Sequence, residues 1–415
     1  MSHRAANRTG DQALVRERNL SLIMQRLLEH HALSRAALAE VTGLNKSTVS
    51  SLVNELLAMQ FAHEVGLSSS GIGRPSMMLE LNPQAGYMVS CELGVDFISV
   101  ICANFGAEII WRHHEITRPE AGQQAILDRA LGLLRQAVVM GSEQCPTCGG
   151  LLGLALGVPG LVDHVNGALL FAPNLKWENV PLRDMLREAF GDAPVFVENE
   201  ANLAALGEYF FGAAKGYDEV LFISAGVGLG GAAVRNGQLF RGKTGYASEF
   251  GHMTMDPNGE PCNCGNRGCW ETQVSQSALF RRVRRAVQEG RASVLSGDSV
   301  DRLTVPAIMD AAHSGDPVAR EALDQVGHCL GIGIASLVNA LNPDLVVFGG
   351  ILSMAGEFLL PVVDLELRQR ALPRSREATQ VVLARHGSDA CVMGGVATVY
   401  QAILLQPGRY NLLAR

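Results

Sequence analysis

Along the first part of the chain, apolar residues recur with the period of a helix. Leu20, Ile23, Met24, Leu27 and Leu28 form one stripe ending near His30, whereas residues 1–18 are polar and are expected to be mobile. Ser34 offers an N-cap for a short helix carrying Leu38 and Val41, and Gly43 can supply the left-handed residue that stops it. Asn45 then caps a third helix with Val49, Leu52, Val53, Leu56 and Leu57 on one face. Two helices joined by a tight turn, with a third before them, predict a helix-turn-helix. Phe61–Val65 and Met77–Leu81, with a polar turn Ser68–Gly73 and then Arg74 and Pro75 between them, read as a hairpin wing. Residues 1–85 are therefore expected to be a winged helix-turn-helix.

From Tyr87 the period falls to that of strands. Tyr87–Leu93, Phe97–Ala103 and Glu108–His114 are short β-rich runs separated by Gly or Asn turns, Gln123–Met140 is a helix, and Leu151–Val158 reads as a buried strand. Leu203–Phe211, Ser275–Glu289, Val305–Ser314 and Pro317–Leu341 read as helices, and Asp344–Gly350 as an apolar strand. Arg368–Thr379 reads as a connecting surface, and Val392–Leu404 as a helix packing back on the first part of the body. Strands leading into helices at such lengths predict an α/β body.

Composition agrees with a folded chain of two or three domains: 415 residues, 47% hydrophobic and 18% charged. No run of eighteen apolar residues is present, and the polar start lacks a signal peptide's apolar core, so a cytoplasmic, reduced protein with no membrane contact is expected. Cys91, Cys102, Cys329 and Cys391 sit in apolar surroundings and read as core residues, while Cys145 and Cys148 form a loop pair with weak redox character. Net charge is −7, yet residues 1–80 carry eight Lys or Arg against seven Asp or Glu. Charge therefore does not announce DNA binding, and the case rests on pattern. The polar face of the third helix shows Lys46, Ser47, Thr48, Ser50, Ser51 and Asn54, with no carboxylate until Glu55. Such groups suit phosphates and base edges, and Arg74 on the wing is placed to reach a DNA backbone or minor groove. A helical protein-docking domain is the alternative.

The densest chemistry lies in EFGHMTMDPNGEPCNCGNRGCWE, residues 249–271. Cys262, Cys264 and Cys269 fall within eight residues, with His252 upstream, and Pro and Gly between them permit a tight loop. Three thiolates and an imidazole make a tetrahedral zinc site, and a disulfide between Cys262 and Cys264 would be strained at that spacing. Pinned in this way, Glu249 and Glu271 suit hydrogen bonding to neighbouring sugar hydroxyls, although they also read as solvated glutamates.

This segment resembles the zinc-loop signature of the ROK family of sugar kinases and sugar-responsive repressors. The resemblance implies structural zinc on His252, Cys262, Cys264 and Cys269, and sugar contacts from Glu249, His252 and Glu271. It also implies a two-lobed actin-like ATPase fold, with a first lobe over residues 86–200 completed by a C-terminal helix at about 391–410, and a second over 201–390. The winged head, with its Gly-Arg-Pro and Leu-Asn-Pro segments, is similar to that of ROK repressors. Family kinases carry Asp-x-Gly-x-Thr-Lys where this chain has Glu92–Phe97, so Asp96 and Phe97 replace a hydroxyl and a cation near the phosphates. Val227 likewise replaces a threonine in the second glycine-rich loop, Gly226–Gly231. Poor ATP binding and no enzyme activity are expected. The sugar side is better matched: Gly157–Asp163 and Ala172–Trp177 resemble family elements, with Asn174 a sugar contact. Asn199 and Glu200 stand in a Glu-Asn-Glu-Ala-Asn cluster like that of the xylose-repressor branch, Glu200 where kinases place the catalytic Asp. The resulting expectation is a sugar-responsive repressor that binds operator DNA and a monosaccharide, as a homodimer or higher oligomer. An active sugar kinase and a regulator controlled by a protein partner are the alternatives.

Overall fold

A computed structural model gives the fold of residues 3–67 and 76–410. The head consists of α1 (His3–His30), β1 (Leu33–Ser34), α2 (Arg35–Thr42), α3 (Lys46–Ala58), β2 (Ala62–Leu67) and β3 (Met77–Leu81). Its caps are those read from the sequence. Ser34 Oγ accepts from the Ala37 N–H, Gly43 stops α2 at φ +69°, and Asn45 Oδ1 accepts from the Thr48 N–H at 2.8 Å. The three strands pair antiparallel in the order β1-β3-β2, giving the helix-turn-helix its wing. Arg74 and the turn before it fall outside the described residues.

Residues 3–18, read as polar and mobile, form the first part of helix α1, which runs from His3 to His30. Ala, Arg, Gln and Leu in that stretch are good helix formers despite their polarity. Two tertiary contacts then hold it: Arg16 pairs with Glu55 of α3 at 2.7 Å, and Glu17 accepts from the Gly408 N–H at 2.9 Å.

The body repeats one layout twice. β4 (Tyr87–Leu93), β5 (Phe97–Asn104) and β6 (Ile109–Ile116) form an antiparallel meander, followed by α4 (Gln123–Gln144) and β7 (Leu151–Val158). A small sheet of β8 (Leu161–Asp163), β9 (Ala168–Ala172) and β10 (Trp177–Val180) precedes α5 (Leu182–Phe190) and β11 (Val195–Asn199). The main sheet runs β11-β7-β4-β5-β6, with β4, β7 and β11 parallel.

After α6 (Glu200–Phe211) come β12 (Glu219–Ala225), β13 (Leu229–Arg235) and β14 (Gln238–Leu239), again antiparallel. Then follow α7 (Gln276–Gln288), α8 (Val305–His313), α9 (Pro317–Leu341), β15 (Leu345–Gly349), α10 (Gly356–Arg370), α11 (Pro373–Ala378), β16 (Gln380–Leu383) and α12 (Ala390–Leu405). The second sheet runs β14-β13-β12-β15-β16, with β12, β15 and β16 parallel. Two sheets of the same order, each a meander extended by two parallel strands, are the two lobes of the expected actin-like fold. The Arg368–Thr379 region is helical rather than a plain connector, because Pro373 is tolerated at the first turn of α11.

Helix α12 joins the parts. Gly394 lies so close to α6 that a Cβ would sit 1.7 Å from the Leu203 carbonyl oxygen. Farther along, Ile403 and Leu404 share one buried core with Leu20, Ile23 and Met24 of α1, so head and first lobe are not separately packed. Residues 387–405 are apolar and long enough to cross a membrane, but two-thirds of that stretch is buried inside the fold. Cys91, Cys102 and Cys391 are buried, as expected of core residues, whereas Cys329 is only half-buried. Cys145 and Cys148 form a disulfide in the loop after α4, where Thr147 donates to Gln84 of the head-to-lobe connection.

Candidate functional site

Glycine geometry shapes the loop after β14 that carries the cysteines. Gly268 has φ +63°, and a Cβ there would fall 1.6 Å from the Asp256 carbonyl oxygen, so only glycine closes this turn. Short bridges pair Thr254 with Cys269 and Pro261 with Arg267, folding the loop back on itself. Trp270 is fully buried and donates to the Cys329 carbonyl at 2.9 Å, fastening the loop to α9. The result brings His252, Cys262, Cys264 and Cys269 together, with one ligand atom from each inside a 4.8 Å span. Cys264 and Cys269 sulfurs lie 3.7 Å apart, as do Cys262 Sγ and His252 Nδ1. Two sulfurs on a tetrahedral zinc ion with bonds of about 2.3 Å stand about 3.7 Å apart. The cluster therefore fits a metal ion in donor chemistry and in spacing.

The same loop faces the first lobe. Glu271 Oε1 accepts from the Cys262 thiol at 2.8 Å and lies 3.7 Å from His252 Nδ1. Asn174, in the β9–β10 turn, accepts from Asn263 Nδ2 at 3.0 Å. Gly228, in the β12–β13 turn, completes this wall: a Cβ there would lie 2.8 Å from Glu271 Oε2 and 3.3 Å from Asn174 Nδ2. Asn174 of the β9–β10 turn thus converges with His252 and Glu271 of the cysteine loop. Gly228 and Asn263 belong with them but were not read from the sequence, although Asn263 lies between two of the cysteines.

Carboxyl groups dominate the floor. Burial pushes Glu200, the first residue of α6, up to about 7, and the Glu249 carboxylate adds to the shift. Glu249 is raised by its own burial and by Glu271, against the opposing pull of His252. Glu92, at the end of β4, is raised well above the carboxyl range by burial and by Glu200, and hydrogen-bonds the Cys391 thiol at the start of α12. Glu198 pairs with Arg241 at 2.6 Å and accepts from Asn202. Asn199 is committed locally: its Oδ1 caps α6 through Ala201 and Asn202 N–H, and its Nδ2 donates to the Gly160 carbonyl. One amide hydrogen of Asn199 is left over.

The corner that the resemblance assigns to phosphate is packed by its own side chains. Phe97 folds over Gly94 so closely that a Cβ there would lie 2.3 Å from its ring, and the ring stacks on His114. Gly226 N–H bonds the Gly228 carbonyl, which makes the second glycine-rich loop a hairpin turn. Gly349 and Gly350 are read as structural, and they meet the Phe222 ring and the Ala225 backbone respectively. In the head, Lys46, Ser47, Ser51 and Asn54 of α3 are exposed, and Thr48 and Ser50 half-buried. Arg35 donates to Asn54 Oδ1 at 3.3 Å.

Comparison with known proteins places this geometry. The ROK family model matches residues 88–402. The chain belongs to the ROK family. The xylose repressor of Caldicellulosiruptor bescii is 34% identical to this ROK protein, over 96% of this chain and 99% of the relative. A ROK family transcriptional regulator of known crystal structure, a homolog of the E. coli MLC protein, superposes with a TM-score of 0.83 at 27% identity, covering 97% of this chain and all of that one. The ROK family glucokinase from Streptomyces griseus, solved with glucose and AMPPNP, gives a TM-score of 0.68 at 34% identity. All of that kinase aligns, but only 76% of this chain.

The sign of the Glu200 effect can be tested. Its carboxyl is neutral to a higher pH in the folded chain than in the unfolded one, so folding is penalised as pH rises above the ordinary carboxyl value and fully so above 7. Glu200→Gln should raise the melting temperature at pH 8 and leave it unchanged at pH 4. An equal change at both pH values would place the effect elsewhere.

Proposed function

We propose that this ROK protein is a transcriptional repressor that reads operator DNA through α3 and is released when a monosaccharide enters the cleft between the two sheets. One observation carries the reading. A winged head shares a continuous core with the first lobe, while Phe97 and Asp96 stand where the resemblance places a kinase's phosphate contacts. A carboxylate facing a triphosphate is repulsive. Similarity to a xylose repressor along almost its whole length, head included, supports a pentose effector, with xylose first to be tried.

In this reading residues 1–85 read DNA, residues 86–200 with about 391–410 form the first lobe, and 201–390 the second. Lys46, Ser47, Thr48, Ser50, Ser51 and Asn54 would contact the groove and Arg74 the backbone. Asn174, Glu200, Glu249, His252 and Glu271 would hold the sugar, with Asn199 offering its spare amide hydrogen. His252, Cys262, Cys264 and Cys269 would bind one structural zinc ion, which fixes the loop carrying two of the sugar carboxylates. Operators read by such heads are usually paired half-sites, so a homodimer in the cytoplasm is the proposed form.

Cys264→Ser should remove the metal and the sugar response together, as read by elemental analysis and by a xylose-dependent shift in melting temperature. Zinc at one per chain in the variant would count against the ligand set. Incubation with ATP and xylose or glucose should release no ADP above an enzyme-free control, and steady turnover would make the protein a kinase. The repressor reading itself is tested by calorimetric titration of xylose with and without operator duplex. Linkage requires that DNA weaken xylose binding by the factor by which xylose weakens DNA binding. Tenfold corresponds to about 1.4 kcal/mol, within reach of a few hydrogen bonds made in one state only. Equal affinities in the two titrations would sink it.

A further inference from the structure

As a reader of DNA, the head is short of positive charge. Residues 20–80 carry four Lys or Arg against five Asp or Glu, a net of −1. Residues 1–19 carry four Arg against Asp11 and Glu17, a net of +2. Attraction to DNA comes largely from neutralised phosphates. The positive charge of this head is thus concentrated in the amino-terminal half of α1 and the turn that follows it, to Asn19, and Glu17 in that turn is already engaged with the Gly408 N–H.

That half of α1 stands beside the face of α3 that carries Thr48 and Ser51. Gln12, Arg16 and Asn19 of α1 face those two residues across an open cleft of about 390 Å³. Arg16 also pairs with Glu55 through two nitrogens, at 2.7 and 2.9 Å, and so cancels the one carboxylate of α3. The four-residue spacing from Arg16 to Gln12 continues in the sequence to Arg8 and Arg4. A major groove is about 12 Å wide, close to the diameter of one helix with its side chains. Helix α3 alone would fill it, and a helix at its flank is left over the phosphate wall.

We propose that the amino-terminal half of α1 is a second DNA-binding element. It grips the phosphate backbone beside the groove entered by α3, with Gln12 and Asn19 as donors and Arg16 holding Glu55 off the phosphates. This rests on the reading of α3 as the recognition helix, and the test separates the two.

The full-length protein is titrated by fluorescence anisotropy against a duplex that it has itself selected from random-sequence DNA, and against a shuffled duplex of equal length. Gln12→Glu combined with Asn19→Asp keeps side-chain size and places two carboxylates in the cleft, and an unchanged melting temperature shows that the fold holds. The expected result is a tenfold or greater weakening for both duplexes alike at low salt, shrinking as salt rises. Arg4→Gln with Arg8→Gln should lower the salt slope by about two units. Wild-type affinity in the Gln12 and Asn19 variant, while Ser51→Glu abolishes binding, overturns the α1 element and leaves α3 standing. A loss confined to the selected duplex means base contacts and overturns the phosphate assignment. Undiminished binding by Ser51→Glu overturns the reading of α3 itself.

Discussion

Two helices meet backbone to backbone at the centre of this molecule. At Gly394, α12 approaches α6 with no room for a side chain, and at Gly207 the approach is nearly as close, 2.6 Å from a would-be Cβ to the Ala390 carbonyl oxygen. On its other side α12 presses on β4, where a Cβ at Gly395 would lie 2.0 Å from Ser90 Oγ. Both helices begin in the cleft, α6 with Glu200 and α12 beside Glu92, and α12 ends in the core shared with the head. Interiors packed to this density do not absorb a shift gradually; they move as units or not at all. A rearrangement at Glu200 therefore has a continuous packed route to α1.

The cleft supplies a reason for such a rearrangement. Glu92 is buried, Glu200 half-buried and Glu249 nearer the surface, and each is held toward its neutral form by desolvation and by a neighbouring acid. Among the described residues, only Glu198 of this group gains a guanidinium partner. Carboxyl groups held neutral can both donate and accept hydrogen bonds, and buried ones are costly until they do. A polyhydroxylated ligand, as proposed above, would supply a dense set of donors and acceptors, and the loop held by Trp270 and the cysteines fixes where Glu271 and His252 stand.

Much of this was legible in the sequence because the chemistry is local. Ser34, Gly43 and Asn45 act within three residues of themselves, and the cysteines of the metal loop are neighbours in the chain. Period alone gave β4, β7 and α9 their full extents. What stayed hidden is non-local. Nothing in a polar stretch tells that Glu55 and Gly408 will hold α1, and Gly228 joins the cleft only because Glu271 and Asn174 arrive from elsewhere. Asn199 shows the converse: a residue read as a ligand contact spends most of its capacity on a helix cap, which a one-dimensional motif cannot distinguish.

The doubled sheet order has a consequence for how such a protein can change its trade. The β4–β5 turn with Gly94 and the β12–β13 turn with Gly228 occupy equivalent corners of the two halves. One is plugged by its own phenylalanine; the other opens onto Asn174 and Glu271. Equivalent by symmetry, they are independent by contact. One corner can be retired while its twin stays in service, and a catalyst can become a sensor by small changes on one side of a pseudo-dyad.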